Sequence, residues 1–457
     1  MPNDATIPQR VSFPNLFERP LVAAFDQPHA SSDGGAVLLK AVDRKLGLTS
    51  RLAATLTDAR DPARVTHPLA DLLAQRVFGL ACGYADGNDA DRLADDPIQK
   101  LLLDRDPIHG HALASQPTLS RFENAMRPRA LYTMSRALAA TVIDRHRRRL
   151  SGRARRITID LDVTDDPTHG AQQLSFFHGH YDTWCYLPLL AFVTFNDEAE
   201  SYLCAAVLRP GNAATAVGAE GVLRALITLS RLAFPRTTIR VRLDGGFAAP
   251  ALLDYLDAIG VEYVVAMAEN AVLARRAEPQ MVGVRATVVA TAATTHTYSD
   301  TVYAAQSWSR ERRVIIKAEV VALAGRAPRD NARFVITNLR QTPQWIYETV
   351  YCQRGEIENR IKELHYGLAL DRTSCTRFWA NQFRVLLTAA AYVLLQELRL
   401  HAARTVYARA QITTLRERLL KIGVRIVGSV RRLVLHLPQA YPDIVAWRAI
   451  ARRLGAS

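Results

Sequence analysis

Two aspartates lie at the ends of predicted strands, where a carboxylate can do chemistry. Asp160 and Asp162 belong to the alternating segment Ile157 to Val163, which predicts a core strand with both side chains on one face. Asp162 is nearer the end of that strand, where parallel sheets place their sites. Asp244 ends a neighbouring predicted strand, Thr238 to Leu243, just before two glycines that give the backbone room to turn. These positions make Asp162 and Asp244 candidate catalytic residues.

A third carboxylate, Glu358, lies in a segment that predicts a helix, residues 351–365, where apolar residues recur at helical spacing without a proline. Arg354 and Lys362, one turn either side, keep Glu358 ionised, as a metal ligand must be. Five side chains share this face of the helix: Tyr351, Arg354, Glu358, Lys362 and His365. The alternative interpretation is an exposed helix whose charges form ion pairs one turn apart.

Carboxylates brought together repel one another unless a cation neutralises them. Asp162, Asp244 and Glu358 offer only oxygen ligands, which suit Mg²⁺ or Mn²⁺ better than zinc. Two such ions activate a water or a DNA 3′-hydroxyl for in-line attack on a phosphodiester. The three residues therefore predict a site for two Mg²⁺ or Mn²⁺ ions, although each aspartate alone is also typical of a strand end or a turn.

The composition indicates an ordinary folded protein with a polyanionic partner. The chain has 457 residues, 49% hydrophobic and 22% charged, and a formal net charge of +14. This basic excess favours nucleic acid as the partner, ahead of an anionic membrane surface. The alternative interpretation is that part of this charge reflects an arginine-rich composition inherited from GC-rich DNA.

The cysteines and the apolar runs indicate a cytoplasmic protein without a membrane segment. The five cysteines are scattered and show no CxxC spacing, which argues against a zinc site or a disulfide framework. The polar N-terminus has no signal-peptide core. The longest apolar run, Leu386 to Leu398, is too short to span a bilayer.

Three further segments hold candidate DNA-binding residues. Ser115 to Asn124 reads like the start of a recognition helix that exposes Arg121, or like a plain capped helix. Arg147 and Arg148 belong to an arginine cluster that suits a phosphate track, or a solvated face. Trp308 and Arg310 predict a stacking and phosphate-binding edge, with an aromatic packed in a small core as the alternative.

The order of predicted elements indicates an α/β fold with a ribonuclease-H-like core. From Ile157, three strands in succession precede helix, strand, helix, strand and helix, whereas a doubly wound fold alternates from the start. Strand-like segments such as Thr287 to Ala290 predict a β-rich insertion before the Glu358 helix. The predicted domains are a helical DNA-binding or dimerisation region (1–150), the catalytic core as a mixed sheet with flanking helices (151–269 and 343–400), the insertion (270–342) and a basic C-terminal region (401–457).

Four segments carry a resemblance to a known family: Asp160 to Thr164, Asp165 to Gly170, Arg242 to Phe247 and Arg354 to Glu363. Over roughly residues 157–400 the chain resembles the DDE transposases of bacterial insertion sequences, DDE group 1 branch, insertion sequence 1380 type. The resemblance places that family's catalytic triad on Asp162, Asp244 and Glu358.

Related transposases also carry a Y-x2-R-x3-E-x6-K signature, whose first three places are filled by Tyr351, Arg354 and Glu358. The lysine place holds His365, with Lys362 one turn earlier, so either side chain is a candidate to hold the phosphate that flanks the cleaved bond.

The resemblance implies a transposase that binds double-stranded terminal inverted repeats, cleaves the ends and joins 3′-hydroxyls to target DNA by cut-and-paste. It implies a homodimer in the synaptic complex, in the nucleoid of a bacterial cytoplasm. Two alternatives stay open: a ribonuclease-H-like structure-specific nuclease without strand transfer, and a catalytically inactive DNA-binding derivative.

Overall fold

The computed structural model describes residues 10–457. The strands are β1 (Arg10–Phe13), β2 (Leu21–Ala24), β3 (Ala30–Ser31), β4 (Arg156–Val163), β5 (Asp166–Pro167), β6 (Phe176–His178), β7 (Thr183–Tyr186), β8 (Leu189–Phe195), β9 (Tyr202–Val207), β10 (Thr238–Leu243), β11 (Glu262–Met267), β12 (Thr295–Tyr303), β13 (Arg312–Val321), β14 (Arg329–Asp330), β15 (Arg333–Thr337), β16 (Val424–Ser429) and β17 (Arg432–His436).

The α-helices are α1 (Val37–Leu46), α2 (Leu48–Ala53), α3 (Leu69–Ala81), α4 (Asp89–Leu93), α5 (Pro97–Leu102), α6 (Gln116–Asn124), α7 (Pro128–Arg149), α8 (Ala219–Ala233), α9 (Pro250–Ala258), α10 (Ala271–Thr291), α11 (Pro343–Trp345), α12 (Gly355–Lys362), α13 (Phe378–His401), α14 (Ile412–Leu415) and α15 (Ile444–Leu454). Turns of π-helix occupy Ile346–Tyr351, Glu363–Gly367 and Arg416–Leu420.

One mixed sheet organises the α/β part of the chain. Its strands run in the order β12-β13-β15-β11-β10-β4-β8-β9, with β14 paired to β13. Strands β4, β10 and β11 are parallel, and β8 and β9 are antiparallel on the other side of β4. Every residue of β8 is buried, as expected for a strand covered on both faces. The predicted mixed sheet with flanking helices is confirmed, with the three consecutive strands adjacent as the sequence indicated.

Helix α13 forms the centre of the hydrophobic core. It contacts α3, α7 and the sheet strand β9, and nearly all of its residues are buried. The helix is longer than the apolar run that marked it in the sequence. By length and composition alone it could cross a membrane. Its most apolar window is 94% buried, which is the burial expected of a core helix in a folded domain.

Within the segment 270–342, one element differs from the β-rich structure that the sequence predicted. Thr287 to Ala290 lie in helix α10 and not in a strand, so that prediction was wrong. The Asn270 side chain accepts hydrogen bonds from the backbone N–H groups of Val272 and Leu273 and caps this helix. Its buried residues recur at helical spacing, and that stripe outweighs the β preference of Thr287-Val-Val. Strands β12 to β15 extend the central sheet beyond β11 rather than forming a separate layer.

The two ends of the chain pack together. Residues 1–9 of the predicted N-terminal arm lie outside the described residues, and the rest of the arm forms the antiparallel pair β1–β2. Strand β3 pairs with β16 of the C-terminal hairpin, and α15 packs against α1. The C-terminal region therefore lies against the N-terminal helices.

Candidate active site

Asp162 and Asp244 meet at one edge of the central sheet. Parallel pairing places Arg242 of β10 opposite Asp160 of β4, and continuing this register by two residues brings Asp244 level with Asp162. Both carboxylates contact one guanidinium, because Arg354 Nη2 lies 2.9 Å from Asp162 Oδ2 and 3.5 Å from Asp244 Oδ2. The structure thus brings together three of the residues selected from the sequence.

Asp160 has a different environment, although it lies on the same strand face as Asp162. Its side chain is fully buried and accepts two hydrogen bonds from Arg242, of 2.7 and 2.8 Å. Arg242 also donates to the carbonyl of Val350, at the start of the predicted Glu358 helix. This pair joins β4, β10 and that helix, so Asp160 has no exposed oxygen to offer a ligand.

Burial dominates the electrostatics of the aspartate pair. It raises the pKa of the Asp162 carboxyl to about 6; Arg354 opposes the rise and Asp244 adds to it. Burial lowers the pKa of Arg354, but the two aspartates outweigh this and the net shift of its pKa is upward. A backbone N–H supports each carboxylate, from Val163 to Asp162 and from Gly246 to Asp244, both at 2.9 Å. The site therefore holds two carboxylates together with one guanidinium between them.

Glu358 is not part of this cluster. Its side chain is exposed and makes no hydrogen bond or ion pair with residues 10–457. Within the same residues, no three His, Cys, Asp or Glu side chains are arranged to hold a metal ion. The structure therefore brings two of the three predicted carboxylates together, and the role of Glu358 stays a prediction.

The two candidates for the lysine place differ in their contacts. His365 Nε2 lies 2.9 Å from the hydroxyl of Thr164, and its Nδ1 lies 3.4 Å from Asp371 Oδ2. Lys362 is exposed, and its ammonium has no partner among the described side chains. His365 thus links the Glu358 helix to the end of β4, whereas Lys362 is available to an external anion.

Two tyrosines lie close to the aspartates. Tyr351 is half-buried with its ring 5.5 Å from that of Tyr347, and burial raises its pKa while Asp244 adds to the effect. Tyr181, in the loop between β6 and β7, also has a pKa raised by burial, with further contributions from Asp165, Asp162 and Asp244. No local pattern in the sequence singles out Tyr181, because its position depends on the pairing of β7 with β5, which follows β4.

A second residue without a sequence signal is Glu363, which anchors the helix that carries Glu358. It is buried and accepts hydrogen bonds from Tyr392, at 2.7 Å, and from Arg399, at 2.7 Å. Arg360 completes the cluster at 3.1 Å. Its main partners come from α13, some thirty residues away in sequence, so local spacing does not distinguish Glu363 from its exposed neighbours.

The remaining candidates for DNA contacts lie apart from the aspartates in sequence. Arg121, on α6, and Arg147 and Arg148, at the end of α7, are exposed. Arg310 is exposed, with its Nε 4.0 Å from Asp257 Oδ2. Trp308 packs edge-on against Tyr303 and under the guanidinium of Arg312, which is the alternative that the sequence left open for it.

Comparison with known proteins identifies the family. The family model described as "Transposase DDE domain group 1" matches residues 13–456. A cryo-EM structure of the piggyBac transposase synaptic complex with hairpin DNA is similar with 10% identity and a TM-score of 0.42, over 84% of this chain and 80% of that one. No curated protein matches the sequence.

The match confirms the resemblance at the level of DDE transposases, while the bacterial insertion sequence 1380 type stays a prediction. Because the matched residues span nearly the whole chain, this protein belongs to the DDE group 1 transposase family.

Proposed function

We propose that this protein binds the terminal inverted repeats of its own element, cleaves the ends and joins their 3′-hydroxyls to target DNA by cut-and-paste. The observation that carries the proposal is the convergence of Asp162 and Asp244 on one cationic group at the edge of the sheet. Family membership and the net charge of +14 support DNA as the substrate. We also propose that the protein acts as a homodimer on the two ends of the element. Its proposed location is the nucleoid of a bacterial cytoplasm.

The aspartate pair fits a divalent cation. Each carboxylate directs one oxygen at the Arg354 guanidinium, so a positive charge is accommodated between them. An all-oxygen donor set is the kind that Mg²⁺ or Mn²⁺ prefers. We propose that Asp162, Asp244 and Glu358 hold two such ions, with Glu358 approaching when DNA binds. When bound, the ions supply charge neutralisation and polarise the attacking oxygen.

Arg354 has two successive roles in this proposal. In the structure it neutralises the aspartate pair. With cations held by the aspartates, the Arg354 guanidinium would be free to pair with a phosphate of the DNA, for which its planar donor geometry is suited. Tyr351 and Lys362 lie on the same helix face and position the scissile and flanking phosphates, while His365 holds Thr164 in place.

The substitution Asp244→Asn tests the catalytic assignment. The amide keeps the size of the side chain but removes the charge that a cation needs, so cleavage of end DNA should fall by about 1000-fold. Binding of the same DNA, measured by fluorescence anisotropy, should stay within about twofold of wild type. Equal loss of cleavage and binding would mean that Asp244 supports the fold or the DNA contact instead.

The exposure of Glu358 favours one other function, a DNA-binding derivative without nuclease activity. A chain that cannot bring its third carboxylate to the aspartates binds ends but does not cut them. Specific binding without cleavage in either Mg²⁺ or Mn²⁺ would select this alternative.

A further inference from the structure

A large groove opens in the N-terminal helical region, away from the aspartates in sequence. It has a volume of about 910 Å³ and lies between the 55–67 loop and helices α3, α6 and α7. Its floor includes Leu72 and Phe122, which belong to the core. Five arginines contribute to its walls: Arg60, Arg64, Arg121, Arg127 and Arg129. The groove is much larger than a single small ion and can hold part of a macromolecule.

Three of these arginines carry charge that the described residues do not neutralise. Arg60 is paired with Asp58 at 2.6 Å, and Arg64 lies 3.6 Å from Asp61. Arg121, Arg127 and Arg129 are exposed and form no ion pair within residues 10–457; Arg121 donates only to the hydroxyl of Thr118, at 3.2 Å. The groove therefore has a net positive rim that suits a polyanion.

A chain of contacts links this groove to the aspartate pair. Arg377, before α13, donates to the carbonyl of Asn124 at the end of α6, at 3.0 Å. The adjacent Thr376 carbonyl accepts from the backbone N–H of Gln173, at 2.9 Å, and Gln173 leads into the β6–β7 hairpin. Strand β7 of that hairpin pairs with β5, which begins four residues after Asp162. The guanidinium of Arg377 is exposed and extends the basic rim in this direction.

We infer that this groove holds the sugar-phosphate backbone of the element's end DNA, with Arg121, Arg127 and Arg129 each contacting a phosphate. The inference rests on the proposed function and adds to it the place where the end is gripped while its tip lies at the aspartates. Exposed arginines without acidic partners bind phosphates mainly through charge and release counterions on binding.

Salt dependence of binding tests the inference. The affinity for a duplex carrying the element's own end is measured by anisotropy across a salt series, for the triple variant Arg121→Gln, Arg127→Gln, Arg129→Gln. The slope of log affinity against log salt should become shallower by about 0.9 for each phosphate that the variant no longer neutralises, about 2.7 in all. The corresponding lysine triple variant should keep most of the slope, because neutralising a phosphate needs only the charge.

A matched control removes the same charge elsewhere. Arg236, Arg275 and Arg326 are also exposed and without ion pairs in the described chain, and their glutamine triple variant should change the slope by less than about 0.9, the value of a single phosphate. Thermal melting of all variants checks that they fold. Equal slopes for the two glutamine variants would contradict the inference that the groove binds end DNA, but would leave the proposed function unaffected. Failure of the wild type to bind end DNA would overturn both.

Discussion

Asp160 and Asp162 show how two residues of one strand face acquire different roles. Asp160 has a guanidinium of its own, held by two short hydrogen bonds, and is fully buried. Burial raises the pKa of Asp162 to about 6, because Arg354, which Asp162 shares with Asp244, only partly offsets the loss of water. An ionised Asp162 therefore destabilises the metal-free fold, which is typical of a functional carboxylate and not of a structural one.

The first prediction concerns Asp162→Asn in the presence of EDTA. The folded-state pKa of about 6 lies above the ordinary value of 3.8, so wild-type stability falls as pH rises between these values and stays low above pH 6. Removing the charge should raise the free energy of unfolding by up to roughly 3 kcal/mol at pH 7.5, and by little near pH 4. Urea unfolding at the two pH values measures the difference.

Asp160→Asn is the control for that experiment. Breaking a buried ion pair by neutralising one partner leaves Arg242 uncompensated and should destabilise the protein by about 3 kcal/mol. If Asp162→Asn destabilised the protein as much as Asp160→Asn at pH 7.5, the different roles assigned to the two aspartates would be wrong.

At the scale of elements, the helical segment 343–367 positions the site. It carries Arg354 to the aspartates and is held from behind by Glu363, buried against Tyr392 and Arg399 of α13. Two turns of π-helix interrupt it, on either side of α12. Such turns are frequent at functional sites, and here they set which face of the segment meets the aspartates.

Local patterns account for the parts of this fold that the sequence predicted. Strands β4, β10 and β11 and the Glu358 helix follow from alternation or helical spacing within single segments. The extension of the sheet by β12 to β15 and the fold of the β6–β7 loop depend on pairing between distant segments, which spacing does not encode. Glu363 and Tyr181 were missed for the same reason.

The second prediction tests the anchor of the segment. Glu363→Gln should destabilise the protein by about 3 kcal/mol, because Arg399 and Arg360 then keep only the partly exposed Glu200 as a counter-charge. Glu356→Gln, on the exposed side of the same helix, should change stability by less than about 0.5 kcal/mol. Guanidinium unfolding measures the stability of both variants. If Glu356→Gln lost as much stability as Glu363→Gln, Glu363 would not be the anchor of this segment.

The third prediction separates Lys362 from His365. Lys362→Gln should weaken binding of end DNA and reduce its salt slope by about 0.9, since an exposed ammonium contacts a phosphate. His365→Gln should leave that slope unchanged and lower the cleavage rate, because its contact is with Thr164. The reverse pattern would assign the phosphate contact to His365.

At the scale of the whole molecule, the basic charge is distributed over both parts of the chain. The N-terminal helices, packed against the C-terminal region, present the arginine-lined groove, and the sheet presents the aspartate pair. Helix α13 lies between them and contacts both the helices and the sheet. Under the proposed function, one DNA end is bound by the helical part of the molecule and cut at the sheet.

Cleavage of the element's own end is the most direct test of a metal-dependent triad of Asp162, Asp244 and Glu358. A duplex carrying that end and its flanking DNA is incubated with wild type and with Glu358→Gln, in Mg²⁺ and in EDTA. We expect cutting at the tip by the wild type in Mg²⁺ alone, and no cutting by Glu358→Gln although it binds the duplex normally. Cutting that survives in EDTA or in Glu358→Gln would contradict the assignment of a metal-dependent triad of Asp162, Asp244 and Glu358.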